Sequence, residues 1–263
     1  SDVTYGKTVY PEFTYHSLWG RVGVEHDFTE RLQGAVFAKG DRVSEVSPEP
    51  KLARAVPPSA VSPATFASLE ASLTWRTTDD FLAPTQGFLL NVAAEPVTDL
   101  TSDVRFTKAS VDGRAYFDLT HDTVLALKLK VGAILTDAKT SKIHVTKRFY
   151  AGGQGSVRGY GWNILGPLSA KGALLGGDGL LEASAELRFP LKGDLKGLVF
   201  VDAGNAFREP WKYPTEHIYY GAGFGLRYKT PVGPVGVDIA FRLKDYPLET
   251  SPYQFYFFIG YAF

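Results

Sequence analysis

The sequence has no cysteine, no methionine and no net charge. Without cysteine there is no disulfide framework, no thiolate metal site and no thiol nucleophile. Lys and Arg total 28, and Asp and Glu total 28, so the basic surplus needed to bind a nucleic-acid backbone is missing and no nucleic-acid partner is expected. No stretch approaches the ~18 consecutive apolar residues of a membrane-spanning helix. The chain does not begin with Met and opens on no basic-then-apolar leader, so it reads as a processed chain or a fragment. Aromatic residues, by contrast, are abundant. The 18 Phe, 14 Tyr and 4 Trp argue against disorder.

Helical spacing of three and four is not sustained, because Gly, Thr, Tyr and Val interrupt it. Spacing of two is sustained repeatedly. Ile218, Tyr220, Ala222, Phe224, Leu226 and Tyr228 alternate with Tyr219, Gly221, Gly223, Gly225 and Arg227. Ala67, Leu69, Ala71, Leu73 and Trp75 alternate with Ser68, Glu70, Ser72, Thr74 and Arg76. Val235, Val237, Ile239, Phe241 and Leu243 alternate with Gly236, Asp238, Ala240 and Arg242, and Leu125 to Val131 repeats the pattern. Each is a strand with one apolar and one polar face. Twelve such segments are expected near 1–10, 15–28, 31–45, 65–77, 86–97, 104–120, 122–135, 179–190, 197–204, 217–230, 232–243 and 254–263. Turn residues such as Asp79-Asp80, Lys192-Gly193-Asp194 and Pro231-Val232-Gly233-Pro234 separate them, and no crossover helix intervenes.

An antiparallel meander of this kind is either a soluble sandwich or a transmembrane β-barrel. The segments run longer than the usual soluble strand of about 5–6 residues and match the about 9–11 of a tilted bilayer strand. Aromatics such as Trp75, Tyr220 and Tyr228 cap the apolar faces, as interfacial girdles do, and the opposite faces suit a wet lumen. The fold class is therefore all-β: an antiparallel transmembrane β-barrel of about 12 strands over residues 1–263, integral to an outer membrane with the bilayer as partner. Phe255, Phe257, Ile259, Tyr261 and Phe263 read as one unbroken apolar face ending on the last residue, with Gly260 on the other face. Residues 46–64, rich in Pro, Ala and Ser, read as a mobile surface loop with one helical turn at Lys51–Ala55.

Residues 148–178 break the meander. This Gly-rich run is too long for a simple connection, and loops of that size are usually functional. Within it stand Arg148-Phe149-Tyr150-Ala151-Gly152-Gly153, then Ser156-Val157-Arg158-Gly159-Tyr160, then Leu165-Gly166-Pro167. Further on come Glu186-Leu187-Arg188-Phe189-Pro190, Phe200-Val201-Asp202-Ala203-Gly204-Asn205-Ala206-Phe207, and Thr230-Pro231-Val232-Gly233-Pro234. In order and spacing these blocks resemble the BamA/TamA superfamily of outer-membrane assembly and translocation barrels over residues 85–263, and the RGY and LGP forms are more similar to the TamA group than to BamA.

The resemblance implies that the 148–178 loop folds into the lumen. It implies that the motif Val157, Arg158, Gly159 and Tyr160 carries the functional arginine, with Glu186 and Asp202 as its wall partners. Alternation agrees, since Leu181 to Phe189 and Val199 to Ala203 put Glu186 and Asp202 on the inward face. It implies that Phe257, Ile259, Gly260, Tyr261 and Phe263 form a terminal targeting strand read by the outer-membrane assembly machine. It implies insertion or translocation of unfolded outer-membrane proteins through a lateral seam, with no cofactor. Relatives carry periplasmic POTRA domains and usually 16 strands, and such domains would add a periplasmic or inner-membrane partner. The chain shows neither and opens within what resembles the fifth family strand, so it is either a fragment or a shorter, self-closing relative.

Two other functions remain open. One is a secretion or diffusion pore plugged by the Gly-rich loop. The other is an outer-membrane phospholipase, which needs a Ser-His pair on adjacent strand ends; no such cluster is visible by spacing. An enzyme is not expected. Gly6-Lys7-Thr8 lacks the upstream glycine and strand-to-helix context of a phosphate-binding loop. Gly152, Gly153, Gly155 and Gly159 precede no crossover helix and are not a dinucleotide fingerprint. His16, His26, His121, His144 and His217 are scattered, with no metal-ligand spacing, so no metal is expected.

Overall fold

The computed structural model describes residues 1–120, 122–137, 142–231 and 233–263; His121 and Val232 lie outside the described residues. Twelve strands form one sheet in sequence order: β1 Asp2–Val9, β2 Phe13–Thr29, β3 Leu32–Pro48, β4 Ala64–Arg76, β5 Gly87–Asp99, β6 Val104–Thr120, β7 Thr123–Leu135, β8 Gly179–Lys192, β9 Leu195–Phe207, β10 Tyr219–Tyr228, β11 Val235–Arg242 and β12 Tyr253–Ile259. Every neighbouring pair is antiparallel. Period two identifies all twelve. The ends shift: β9 is longer than the alternation suggests and β12 is shorter.

The meander puts the longest connections, 49–63 and 136–178, at one end of the sheet and the tight turn Lys192–Leu195 at the other, which in outer-membrane barrels are the outer and periplasmic ends. Among the described residues no ladder joins β12 to β1. Ser1–Tyr10, a weak strand by sequence, pairs with β2 from Asp2↔Arg21 to Val9↔Thr14.

Outward residues have no protein cover. Leu73 is 52% exposed and Val237 43%, and Trp75, Tyr220 and Tyr228 are exposed on the same surface. No described helix is long and apolar enough to cross a membrane; the strands carry the apolar surface. The inner face is drier than a watery lumen. Near the long-loop end Val43, Phe66, Val97, Phe106 and Ile134 pack against Ile143, Phe149, Ala151, Val157, Tyr160 and Leu165 of the long connection. Two kinds of inward surface thus meet: apolar toward the long loops and charged at mid-depth.

The 46–64 connection departs from the expected mobile loop. It carries the helical turn α1 (Pro50–Ala53), and Leu52, Val56 and Ala60 are buried with Phe13, Val145, Tyr150 and Leu174. Its buried apolar residues lie outside any strand alternation, so their burial depends on the loop they cover.

The expected unbroken terminal face is also corrected. β12 stops at Ile259, Gly260 takes φ +90°, and its N–H donates to the Pro234 carbonyl at 2.6 Å. A positive φ turns the chain out of the strand. Phe263 therefore lies inside, 8% exposed, against Tyr116, Val124 and Ala126, while Phe257 and Ile259 remain outside.

Candidate functional site: a buried arginine cluster at mid-depth

β10 explains why a loop can dock on this wall. Its inward residues from Gly221 to Gly225 are all glycine. A Cβ at Gly221 would collide with the Arg158 carbonyl, one at Gly223 with Phe200, and one at Gly225 with the Asp238 carboxylate. On β9, a Cβ at Gly204 would crowd Val157 at 3.1 Å. Backbone approach this close is open to glycine alone. In the loop, Gly159 has φ +96°, and any Cβ there would meet the Phe241 carbonyl carbon at 2.8 Å.

On this floor the Val157 to Tyr160 motif is fully engaged. Val157 and Tyr160 are 0% exposed and Arg158 1%. Arg158 Nε donates to Asp202 Oδ2 at 2.7 Å and Nη2 to Asp202 Oδ1 at 2.9 Å, a bidentate pair. The Arg158 backbone N–H donates to the same carboxylate at 3.0 Å. Nη1 donates to Glu186 Oε1 at 2.7 Å and to Asp238 Oδ2 at 3.2 Å. Ser184 Oγ donates to Asp202 Oδ1 at 2.5 Å. The guanidinium lies over the Phe200 ring, 3.4 Å from its centroid. Gly159 N–H donates to Tyr256 Oη at 3.2 Å, and Tyr160 Oη donates to the Lys244 carbonyl at 2.7 Å. The motif thus ties β8, β9, β11 and β12 together from within.

Three further residues belong to this cluster. Asp238 is a third carboxylate on Arg158, and Arg227 pairs with it at 2.5 and 3.0 Å. Arg188 bonds Glu186 Oε2 at 3.1 Å. Three arginines and three carboxylates are thus buried in contact. Inward parity was the available signal for Asp238 and Arg227, since both occupy polar-face positions in the alternation.

The loop's root is held separately. His144 is 1% exposed; its Nε2 donates to the Ser62 carbonyl at 2.9 Å, and its Nδ1 accepts from the Thr146 N–H at 3.4 Å. Burial pushes its pKa down to about 4, only partly offset by the Ser62 carbonyl. Arg148, also buried, donates to the carbonyls of Ile143 and Leu175. Among the described residues no Ser hydroxyl pairs with a His ring and a carboxylate in the way a lipase triad requires.

The pattern of the Omp85 superfamily domain matches residues 13–263. The chain belongs to the Omp85 superfamily. It is 29% identical over 223 residues to the outer membrane protein assembly factor BamA of Neisseria meningitidis, covering 71% of this chain and 27% of that protein. It is 36% identical over 100 residues to the chloroplastic outer envelope protein 39 of Arabidopsis thaliana, covering 35% of this chain and 25% of that one. Its fold matches BamA from Haemophilus ducreyi lacking POTRA domains 1–3 with a TM-score of 0.75 at 19% identity, over 96% of this chain and 57% of that one. The chain spans about a quarter of the length of the first two relatives. An integral outer-membrane β-barrel is the setting common to the fold and the family.

Proposed function

We propose that the chain is the barrel portion of an outer-membrane assembly or insertion factor, acting without covalent chemistry. The observation that carries this reading is the Val157 to Tyr160 loop of an Omp85 domain docked on β8 to β12, with β12 a short last strand. An edge strand presents unpaired backbone N–H and C=O groups and so templates an incoming strand by β-augmentation. β12 has only seven residues, Tyr253–Ile259, and a short strand thins the sheet's lipid-facing band there. The docked loop ties β8, β9 and β12 together from the lumen side. The substrates are unfolded outer-membrane proteins, and any POTRA domains of the parent protein would deliver them from the periplasm. In this reading Arg158, Glu186 and Asp202 organise the loop, and none of them touches a reacting bond.

Reconstitution into liposomes tests this. The chain, in its parent protein, should accelerate insertion of a separate outer-membrane barrel. A cysteine at Phe255 or Phe257 should cross-link to a stalled substrate strand, while one at Leu127 on β7 should not. Insertion no faster than with an unrelated barrel would overturn the reading. A plugged translocation pore is the second reading, favoured by the loop packed against the inner face. It requires a large rise in single-channel conductance when the loop is deleted, with no acceleration of insertion.

A further inference from the structure

Arg188 lies one inward step along β8 from Glu186 and is 2% exposed. It is gripped from separate places. Nε and Nη2 bond Glu186 Oε2 at 3.1 and 3.0 Å. Nη2 also donates to the Phe263 carbonyl at 3.1 Å, and Nη1 to the Pro84 carbonyl at 3.4 Å in the β4–β5 turn. The guanidinium sits 3.9 Å from the centroid of Tyr261. Arg188 is thus the polar anchor of the inward-turned residues 260–263. The second Glu186 oxygen, Oε1, takes Arg158 Nη1 at 2.7 Å. One carboxylate therefore stands between the loop arginine and the arginine that holds the end of the β12 edge. A parallel path runs from Arg158 through Asp238 to Arg227, whose guanidinium lies 4.4 Å from the Phe258 ring and 5.6 Å from Tyr261.

The sign of this linkage follows from donor counting. A guanidinium has five N–H groups in a fixed fork, and Nη2 of Arg188 is shared between Glu186 and Phe263. While Arg158 occupies Oε1, Arg188 needs only one Glu186 oxygen, and its outer N–H groups are free for the two carbonyls. If Arg158 leaves, Oε1 becomes an acceptor without its partner. A bidentate pairing with both Glu186 oxygens then shifts the whole guanidinium toward Oε1, away from the Phe263 oxygen and the Tyr261 ring.

We propose that Arg188 is a positioning residue for the β12 edge, and that loop docking and the inward turn of residues 260–263 are one coupled equilibrium transmitted through Glu186. Released, Tyr261 and Phe263 continue the outward series Phe255, Phe257 and Ile259, and the edge lengthens from Tyr253–Ile259 to Tyr253–Phe263. The loop then sets how much edge is offered for pairing. That last step rests on the assembly reading; the coupling itself does not.

The chain has no cysteine, so single spin labels can be placed on the full protein in lipid at Ala262→Cys for the end segment and at Lys171→Cys for the loop. Arg188→Ala should raise the mobile fraction at position 262 at least about fivefold, the lower range of an allosteric coupling. Arg158→Ala should raise mobility at both positions, and Glu186→Gln, which is isosteric, should do the same if an alanine variant fails to fold. Arg188→Lys keeps the charge but not the fork and should restore only part of the ordering. Position 262 staying as ordered as in the parent with Arg188→Ala would overturn the anchoring. Arg158→Ala and Glu186→Gln that mobilise position 171 alone would overturn the coupling. A coupled segment in a protein that fails to accelerate insertion would defeat the assembly reading and leave this one standing.

Discussion

Two charged clusters on the inner face of the barrel wall differ in kind. Around Arg158, on β8 to β11, the ion-paired side chains are at most 3% exposed. Around Lys39, on β3 to β5, the ammonium reaches Glu70 at 2.9 Å and Glu95 at 3.0 Å, but these groups are between 23% and 30% exposed. The distances are alike; the solvent is not. The loop supplies the difference, because it covers the first cluster and leaves the second open to the lumen. A buried charge that loses its partner costs about 3–5 kcal/mol, whereas an exposed pair is worth about 0–1 kcal/mol. The same inward-facing chemistry is therefore a lock on one side of the lumen and a wet lining on the other.

The largest expected effect is on the lock. Arg158→Ala should destabilise loop docking by about 3–5 kcal/mol, since it strands three buried carboxylates. Hydrogen exchange or limited proteolysis of residues 148–178 reads this out, and the strands should stay protected because their ladders and lipid face are separate. Loop protection unchanged in this variant would erase the distinction between the clusters. Exchanging Arg158 and Asp202 should recover only part of the loss, because the fork geometry cannot be inverted.

The next effect asks whether the two sides differ outside as well. Leu73 on β4 and Val237 on β11 both face outward. Arg at either position should cost about 2–4 kcal/mol in a lipid folding titration. Equal costs would place the difference between the sides in the interior alone, and a much smaller cost at both would mean that this face does not meet lipid.

A third, smaller effect comes from the loop's root. His144 has a folded pKa of about 4 against about 6.5 unfolded, so the folded state favours the neutral ring. Below the unfolded value the unfolded chain binds more protons, and stability falls as pH drops from about 6.5 to about 4 and then levels off, by at most about 3 kcal/mol. His144→Gln should flatten this part of the pH profile measured by exchange at residues 143–150; a profile identical to the parent's would remove His144 as its source.

Strands and site differ in how far the sequence reveals them. Each strand is a local period of two, so Ile218 to Tyr228 or Ala67 to Trp75 announce themselves without reference to the rest of the chain. Inward parity likewise set Glu186 and Asp202 facing the lumen, where the structure has them bonded to Arg158. Parity alone, however, does not rank inward residues. Asp238 and Glu70 look equivalent in sequence, and only the covering loop makes one buried and the other wet. Leu52 and Val56 lie outside any strand alternation and are buried by what they touch. The break at Gly260 is invisible for a similar reason: Tyr261 and Phe263 continue the alternation perfectly, and what turns them inward is the Pro234 carbonyl and the distant Arg188.

The smallest expected effect is the one that most sharpens the contrast. Lys39→Ala removes a cation from two carboxylates, as Arg158→Ala does from three, so a tally of ion pairs would predict comparable damage. Solvent changes the outcome. Water reaches Glu70 and Glu95, Ser68 Oγ already donates to Glu95 at 2.7 Å, and the cost should stay below about 1 kcal/mol. What remains should shrink as salt is raised from 0.01 to 1 M, over which the screening length falls from about 30 to about 3 Å. The loss in Arg158→Ala should be nearly independent of salt, because ions do not enter a site that is 1% exposed. Unfolding of the two variants in lipid at both salt concentrations measures this directly. A salt-insensitive loss of several kcal/mol in Lys39→Ala would mean that the open side of the lumen is as dry as the locked one, and that the loop is not what separates them.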